Sequence, residues 1–245
     1  MRRYYYDLHI HSTLSPCGDE DNTPNNICGM ASISGLNIIA LTDHNTAKNC
    51  PAFFKAAKRY GIIPVAGMEL TTSEDIHVVC LFEHLEDAMR FDEYIQTRRV
   101  LIKNRPEIFG EQHVLDENDE IIATEENLLT NATTVSVEEV HSLVLSYGGV
   151  AYPAHIDRDA NGIIAILGTI PPDAEFDLFE LHDVERLDEY CRTYGLNKER
   201  IIVSSDAHYL TDIRDKECYF ELNDEPYSSA NVRRELFRLL RGEIS

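Results

Sequence analysis

Two histidines, His9 and His11, stand one residue apart behind an apolar lead-in of Tyr4, Tyr5 and Tyr6. On a β-strand they would project from one face about 6.5 to 7 Å apart, because strand side chains alternate with a period of two. Two neutral imidazoles so placed can converge on one zinc, iron or similar cation. With ten histidines in 245 residues, a His-x-His pair alone is a weak signal. It gains weight from further residues of ligand type at the ends of apolar runs: His44, Glu69, His155, and Asp206 with His208. Imidazole and carboxylate donors gathered from separate strand ends can build a site for a divalent first-row metal.

The elements that must bring these residues together are legible as alternating apolar runs and helical patterns. After the first strand, Thr23-Pro24 reads as N-cap and first residue of a helix to about residue 35. Residues 38–41 suit a strand buried on both faces, 51–60 a helix stopped by Gly61, and 62–67 and 76–82 two more strands. The segment from 85 to 105 suggests a helix, and 112–123 a hairpin turning at Asp116-Glu117-Asn118-Asp119. Ser136 and Glu139 form a capping-box pattern before an apolar helix face, and a strand at 150–154 delivers His155. Strands at 176–181, 201–203 and 219–222 and helices at 184–194 and 230–240 follow. Strands alternating with helices predict an α/β fold, and roughly seven such units fit a closed TIM-like barrel, whose active site lies at the C-terminal strand ends. Residues 1–245 are expected to form a single domain, with residues 84–135 a helix-plus-hairpin insertion.

The composition narrows the function classes. The net charge is −21, from 43 Asp and Glu against 22 Lys and Arg, which counts against a polynucleotide partner held through its phosphates. No run approaches the roughly 18 apolar residues of a membrane span, and the first residues lack the apolar core of a secretory signal. A cytoplasmic chain with no membrane partner is expected. Six cysteines without a Cys-x-x-Cys pair read as mostly buried free thiols. Cys17, Cys28 and Cys50 flank the candidate site, and a thiolate ligand there ranks below the histidines and carboxylates.

The ordered set DLHIHS, LTDHN, GMELTT, PAH and SSDAH, running from Asp7 to His208, resembles the polymerase and histidinol phosphatase (PHP) superfamily. The resemblance implies a distorted (β/α)7 barrel binding two or three divalent ions, with manganese, iron and zinc as candidates. His9, His11, Glu69 and Asp206 would then hold one ion, and Glu69 would bridge to a second held by His77 and His155. A third would lie between Asp19, His44 and His208. In the family it resembles, an acid or histidine of that third site stands five residues before the proline that opens the first helix, the place of Asp19 before Pro24, and Glu20 and Asp21 compete with it. His77 is preferred to His84 because it lies closer behind GMELTT. Asp7 and Asp43 read as acceptors that orient the imidazoles beside them.

This pattern points to a metal-dependent phosphoric ester hydrolase. Paired cations about 3.5 to 4 Å apart can activate a water and clamp phosphoryl oxygens. Glu69, Asp206 and His208 are the candidate catalytic residues, with Asp206 or a nearby histidine handling the proton. Arg158 and Lys48 are candidate phosphate clamps. The expected substrate is a small phosphorylated metabolite carrying a phosphomonoester. The alternatives are a PHP-type nuclease and a non-catalytic metal-binding regulatory module.

Overall fold

The computed structural model describes residues 1–244. Its strands are β1 (Arg2–Asp7), β2 (Ile38–Leu41), β3 (Ile63–Thr71), β4 (His77–Phe82), β5 (His113–Leu115), β6 (Ile121–Thr124), β7 (Gly149–Pro153), β8 (Phe179–Leu181), β9 (Ile201–Val203) and β10 (Tyr219–Leu222). The α-helices are α1 (Pro24–Ile33), α2 (Cys50–Tyr60), α3 (Leu85–Gln96), α4 (Pro106–Phe109), α5 (Val137–Ser146), α6 (Ile163–Leu167), α7 (Leu187–Tyr194) and α8 (Ser229–Leu240). None is long and apolar enough to cross a membrane, among the described residues.

A six-stranded sheet runs β10-β1-β2-β3-β4-β7, with β8 and β9 paired separately. Backbone hydrogen bonds from Ile156 N–H to Glu180 O (2.9 Å) and from His11 N–H to Ala207 O (2.9 Å) tie that pair to the two sides of the sheet. The β1-β2, β2-β3 and β8-β9 pairs are parallel, but β4 runs antiparallel to both its neighbours. The strict alternation of strand and helix is therefore broken between β3 and β4. Only residues 72–76 connect those strands, too few for a helical crossover, so the chain turns back on itself. This reversal puts the first residue of β4, His77, opposite Thr71 at the end of β3.

Alternation along the strands divides the core into two layers. Ile63 and Val65 of β3, Val79 and Leu81 of β4, and Val150 and Tyr152 of β7 pack with Val232, Leu236, Phe237 and Leu240 of α8. Their intervening neighbours Ala66, Met68, Val78, Cys80 and Ala151 join the layer beneath α1, α2, α3 and α5. Arg233 of α8 donates to the carbonyls of Glu83 (2.6 Å) and Pro64 (3.3 Å), so α8 lies at the sheet end away from Glu69 and His77. Gly67 allows β3 to approach β4, since a Cβ there would lie 2.5 Å from the Cys80 carbonyl oxygen.

Two local expectations fare differently. The capping box forms, Ser136 accepting from Glu139 N–H while the Glu139 carboxylate accepts from Ser136 N–H. The helix expected over 85–105 stops at Gln96. Beyond it Arg99 and Lys103 bridge to Thr133 and Asn127 in extended pairing, and Pro106 disfavours helix at the residue before it. The buried Arg99 fixes this path by donating to the Asn127 carbonyl at 2.9 Å and pairing with Glu125 at 3.4 Å.

Candidate metal centre

Glu69 is the hub of the site. It shares the parity of Ile63 and Val65 on β3, so the alternation that builds the inner core layer also aims this carboxylate inward. Its Oε1 lies 2.8 Å from His77 Nδ1, 3.1 Å from His155 Nε2 and 3.4 Å from His9 Nε2. Its Oε2 lies 3.1 Å from His44 Nδ1 and 3.3 Å from His11 Nε2. Asp206 Oδ1 meets His11 Nε2 at 3.1 Å and His9 Nε2 at 3.3 Å. Three overlapping groups of donor atoms result: His9, His11, Glu69 and Asp206; His44, Glu69 and His77; and His11, His44 and His208. His155 joins through its contact with Glu69.

Asp19 is not brought into these groups. Its carboxylate accepts from Asp21 N–H at 2.9 Å, so counting back from Pro24 selected a residue whose side chain stabilises its own turn. Lys48 is engaged by Glu125 at 2.6 Å. Arg158 does reach the centre, with its Nη1 donating to Asp206 Oδ2 and its Nη2 3.1 Å from His182 Nδ1. His84 is exposed and pairs with Glu83, away from Glu69.

The two aspartates beside the histidines serve other partners. Asp43 accepts from Ser12 N–H, Ser12 Oγ and Ser15 Oγ, each at 2.7 Å, and Ser15 Oγ in turn lies 2.9 Å from His11 Nδ1. It therefore orients His11 through a serine and does not orient His44. Asp7 binds backbone N–H groups, Ser205 at 3.0 Å among them. The imidazole of His9 is held instead by Glu180, whose Oε1 lies 2.9 Å from His9 Nδ1 and 3.1 Å from the His155 backbone nitrogen. Sequence reasoning missed Glu180. The available signal was one carboxylate between Phe179 and Leu181, both of which pack in the layer beneath the helices, leaving Glu180 to point inward.

The electrostatics follow from this packing. Burial opposes charge on His9, yet Glu180, Glu69 and Asp206 together raise its pKa well above 6.5. For His11 burial is again outweighed, here by the adjacent carboxylates of Asp206 and Glu69, and its pKa rises to about 9. His44 is pushed well below 6.5 by burial and by its histidine neighbours. Burial works against charge on Glu69 too, but the surrounding histidines hold it well below the usual carboxylate range. His155 (φ 29°) and Asp206 (φ 53°) adopt left-handed backbone, a strain of order 1–3 kcal/mol that tends to collect at functional sites.

The donor set fits divalent cations. Glu69 Oε2 and His44 Nδ1 are buried and face one another without making a hydrogen bond, and His155 Nδ1 and Glu180 Oε2 are also buried without partners. Such groups are costly unless something else satisfies them. Mixed imidazole and carboxylate donors suit manganese, iron or zinc. Because Glu180 orients His9 through the nitrogen turned away from the cluster, Glu180→Gln should weaken divalent-ion binding about 10- to 100-fold. Competition titration with a chromogenic chelator reads that change, and unchanged affinity would remove Glu180 from the supporting shell.

The fold and this collection of donors define a PHP protein: the chain belongs to the PHP domain family, which it matches over residues 7–225. Over 79 residues it is 38% identical to a 5'-3' exoribonuclease of Haemophilus influenzae, covering 31% of this chain and 28% of that protein. The chain spans less than half the length of the curated relatives it matches. Among solved structures, endonuclease Q from Pyrococcus furiosus aligns with a TM-score of 0.65 at 16% identity, covering 98% of this chain and 56% of that one. An amidohydrolase from Chromobacterium violaceum aligns with a TM-score of 0.55 at 19% identity, covering 98% and 97% of the two chains. At these identities the structural likeness is one of fold.

Proposed function

We propose that this chain is a metal-dependent phosphoric ester hydrolase with a small phosphomonoester as substrate. The observation that carries the reading is Glu69, whose carboxylate lies 2.8 to 3.4 Å from nitrogens of five histidines. His9, His11, Glu69 and Asp206 would hold one cation, Glu69, His77 and His155 a second, and His44 and His208 would contribute to a third. Bound divalent cations supply Lewis acidity at the phosphoryl group and a reactive water near neutral pH. The protein's own part is to fix the donors. Glu69 spans the groups with its two oxygens, Glu180 and Ser15 orient His9 and His11, and Arg158 holds Asp206. The same reading treats the chain as one PHP domain on a distorted seven-unit barrel, with residues 84–135 inserted beside the site. Its free cysteines fit a reducing, cytoplasmic compartment.

A cavity of about 340 Å³ beside Asp206 is lined by Arg158, His182, Ser205, Asp212 and Arg214. This is the size range of small-molecule sites, and two guanidinium groups in its wall suit a phosphate. Arg158→Ala should raise KM about 10- to 100-fold, the worth of a charge-assisted hydrogen bond. Lys48→Ala, which removes one of two cationic partners of Glu125, should change KM less than about twofold. Equal effects from the two substitutions would contradict the placement of the phosphate.

A nuclease is the second reading, favoured by the local identity to an exoribonuclease and the fold shared with endonuclease Q, one of whose structures is a complex with a 27-mer duplex substrate. This likeness weighs against excluding polynucleotides on net charge alone, since bound cations can offset an acidic surface locally. Elemental analysis coupled to a hydrolysis screen separates the readings. Preferred turnover of nucleotide or sugar phosphates supports the small substrate, and faster cleavage of single-stranded oligonucleotides supports the nuclease. Failure to hydrolyse any ester with manganese, iron or zinc loaded would leave a binding module.

A further inference from the structure

Cys17 lies on the loop after β1, with its sulfur 3.3 Å from His44 Nε2 and 3.1 Å from His208 Nε2. We propose that Cys17, His44 and His208 form a thiolate-bearing cation site at the mouth of the centre, selective for zinc or ferrous iron over magnesium and manganese. The inference rests on the metal-centre reading and deepens it, putting sulfur where a carboxylate from Asp19 was expected.

Three observations support it. The first is the state of His208. Its Nδ1 is 2.8 Å from the Asp206 carbonyl oxygen, an acceptor only, so that nitrogen carries the proton. Nε2, which faces Cys17, is then the lone-pair nitrogen, as in a metal-ligating imidazole oriented through its other nitrogen. The second is that His11, His44 and His208 already group as donors within 4.8 Å of one another, so the cysteine joins a cluster. The third is that the loop is built to hold this sulfur in place. Gly18 N–H donates to the Ser15 carbonyl at 2.8 Å, and Asp19 N–H donates to the His208 carbonyl at 2.9 Å, which ties the cysteine loop directly to the segment after β9. Gly110, at φ 96°, packs so closely that an added Cβ would lie 2.1 Å from the Pro16 carbonyl oxygen.

The dimensions and charge also fit. Tetrahedral zinc bonded to sulfur at about 2.3 Å and nitrogen at about 2.0 to 2.1 Å separates those atoms by roughly 3.5 Å, a few tenths of an ångström beyond the present spacing. Cation binding releases the thiol proton to solvent, and the thiolate brings the same single negative charge as a carboxylate. Its softness selects zinc and iron over magnesium and manganese. Three protein donors leave a fourth position open, as in catalytic zinc sites. Solvent reaches the site, because Cys17 is exposed and the His208 side chain is 22% accessible.

The test is cobalt substitution of the chelated protein, followed by absorption spectroscopy and elemental analysis. Wild-type protein should show a thiolate-to-cobalt charge-transfer band in the near ultraviolet, together with visible d–d absorption. Cys17→Ser should lose the band, keep d–d absorption from the remaining ions, and bind the outermost ion at least about 10-fold more weakly. Cys17→Asp should restore the stoichiometry without the band, and Asp19→Asn should leave the band unchanged. Zinc should displace the band in wild-type protein and magnesium should not. Cobalt bound with d–d absorption but no charge-transfer band overturns the cysteine site and leaves the metal centre standing, as does a band that persists in Cys17→Ser. A wild-type protein that takes up no cobalt overturns both.

Discussion

Replacing Glu69 with alanine is expected to lower kcat/KM for p-nitrophenyl phosphate by on the order of 10³-fold or more, with the fold retained. The size of the loss follows from position. Among the described residues, Glu69 is the one side chain whose two oxygens contact members of all three donor groups, through His9 and His77 on one side and His11 and His44 on the other, and it also meets His155. No neighbour can replace it, because Asp206 faces His9 and His11 and its other oxygen is taken by Arg158. The fold should survive because the carboxylate packs above the apolar layer formed by Ile63 and Val65 and contributes nothing to that layer. Removing one partner of a buried charged cluster costs stability, so the chelated variant should melt at a lower temperature than the parent while keeping its fold. Glu69→Gln keeps the volume and loses the charge, so it should be nearly as inactive as alanine. Steady-state kinetics, elemental analysis and circular dichroism on both variants make the check. Hydrolysis surviving in Glu69→Ala with bound metal intact would sink the bridging role.

How much of this was legible in the sequence depended on whether the signal was local. Residue type and strand end together marked His9, His11, His44, Glu69, His155, Asp206 and His208, because an apolar run that stops on a ligand-type residue can be read without knowing its partners. The reversal at β4 also had a readable sign, since only residues 68–75 separate the expected strands 62–67 and 76–82, too few for a helical crossover. Features that depend on distant partners were not readable. Glu180 lies in the expected strand 176–181 between Phe179 and Leu181, but nothing local says that it meets His9 until β8 is paired with β9 and those neighbours turn outward. Asp43 stands next to His44 in the chain but serves His11 through Ser15, and adjacency misled. Asp19 was selected by an offset from Pro24, whereas the loop geometry brings Cys17 toward His44 and His208. Lys48 had the charge of a phosphate clamp, but Glu125, 77 positions further along, occupies it.

The stability of the chelated protein should pass through a maximum near pH 6.5, and the signs come from opposite shifts within one cluster. His11 has its pKa raised to about 9 from an ordinary 6.5, so the native state holds more protons than the unfolded state between those values and stability falls as pH rises through that window. His9 and His155 are shifted in the same direction. His208 is held down to about 4 by burial and by His11, and His44 also lies low, so the unfolded chain takes up more protons below 6.5 and stability rises with pH up to that point. Glu69 and Asp206, held below the usual carboxylate range, add stability that is lost as pH falls through their native values. Divalent ions compete with the protons on His9, His11 and His155, so the stabilisation they give should grow from pH 6.5 to 9. At 100 times its dissociation constant one ion contributes about 2.7 kcal/mol, or roughly 5 to 10 °C in Tm for a chain of this size. Thermal melts with and without zinc or manganese across this range make the measurement. A metal-induced Tm increment that stays flat from pH 6.5 to 9 would mean that the ions do not displace protons from this cluster, and that His9 and His11 do not bind them.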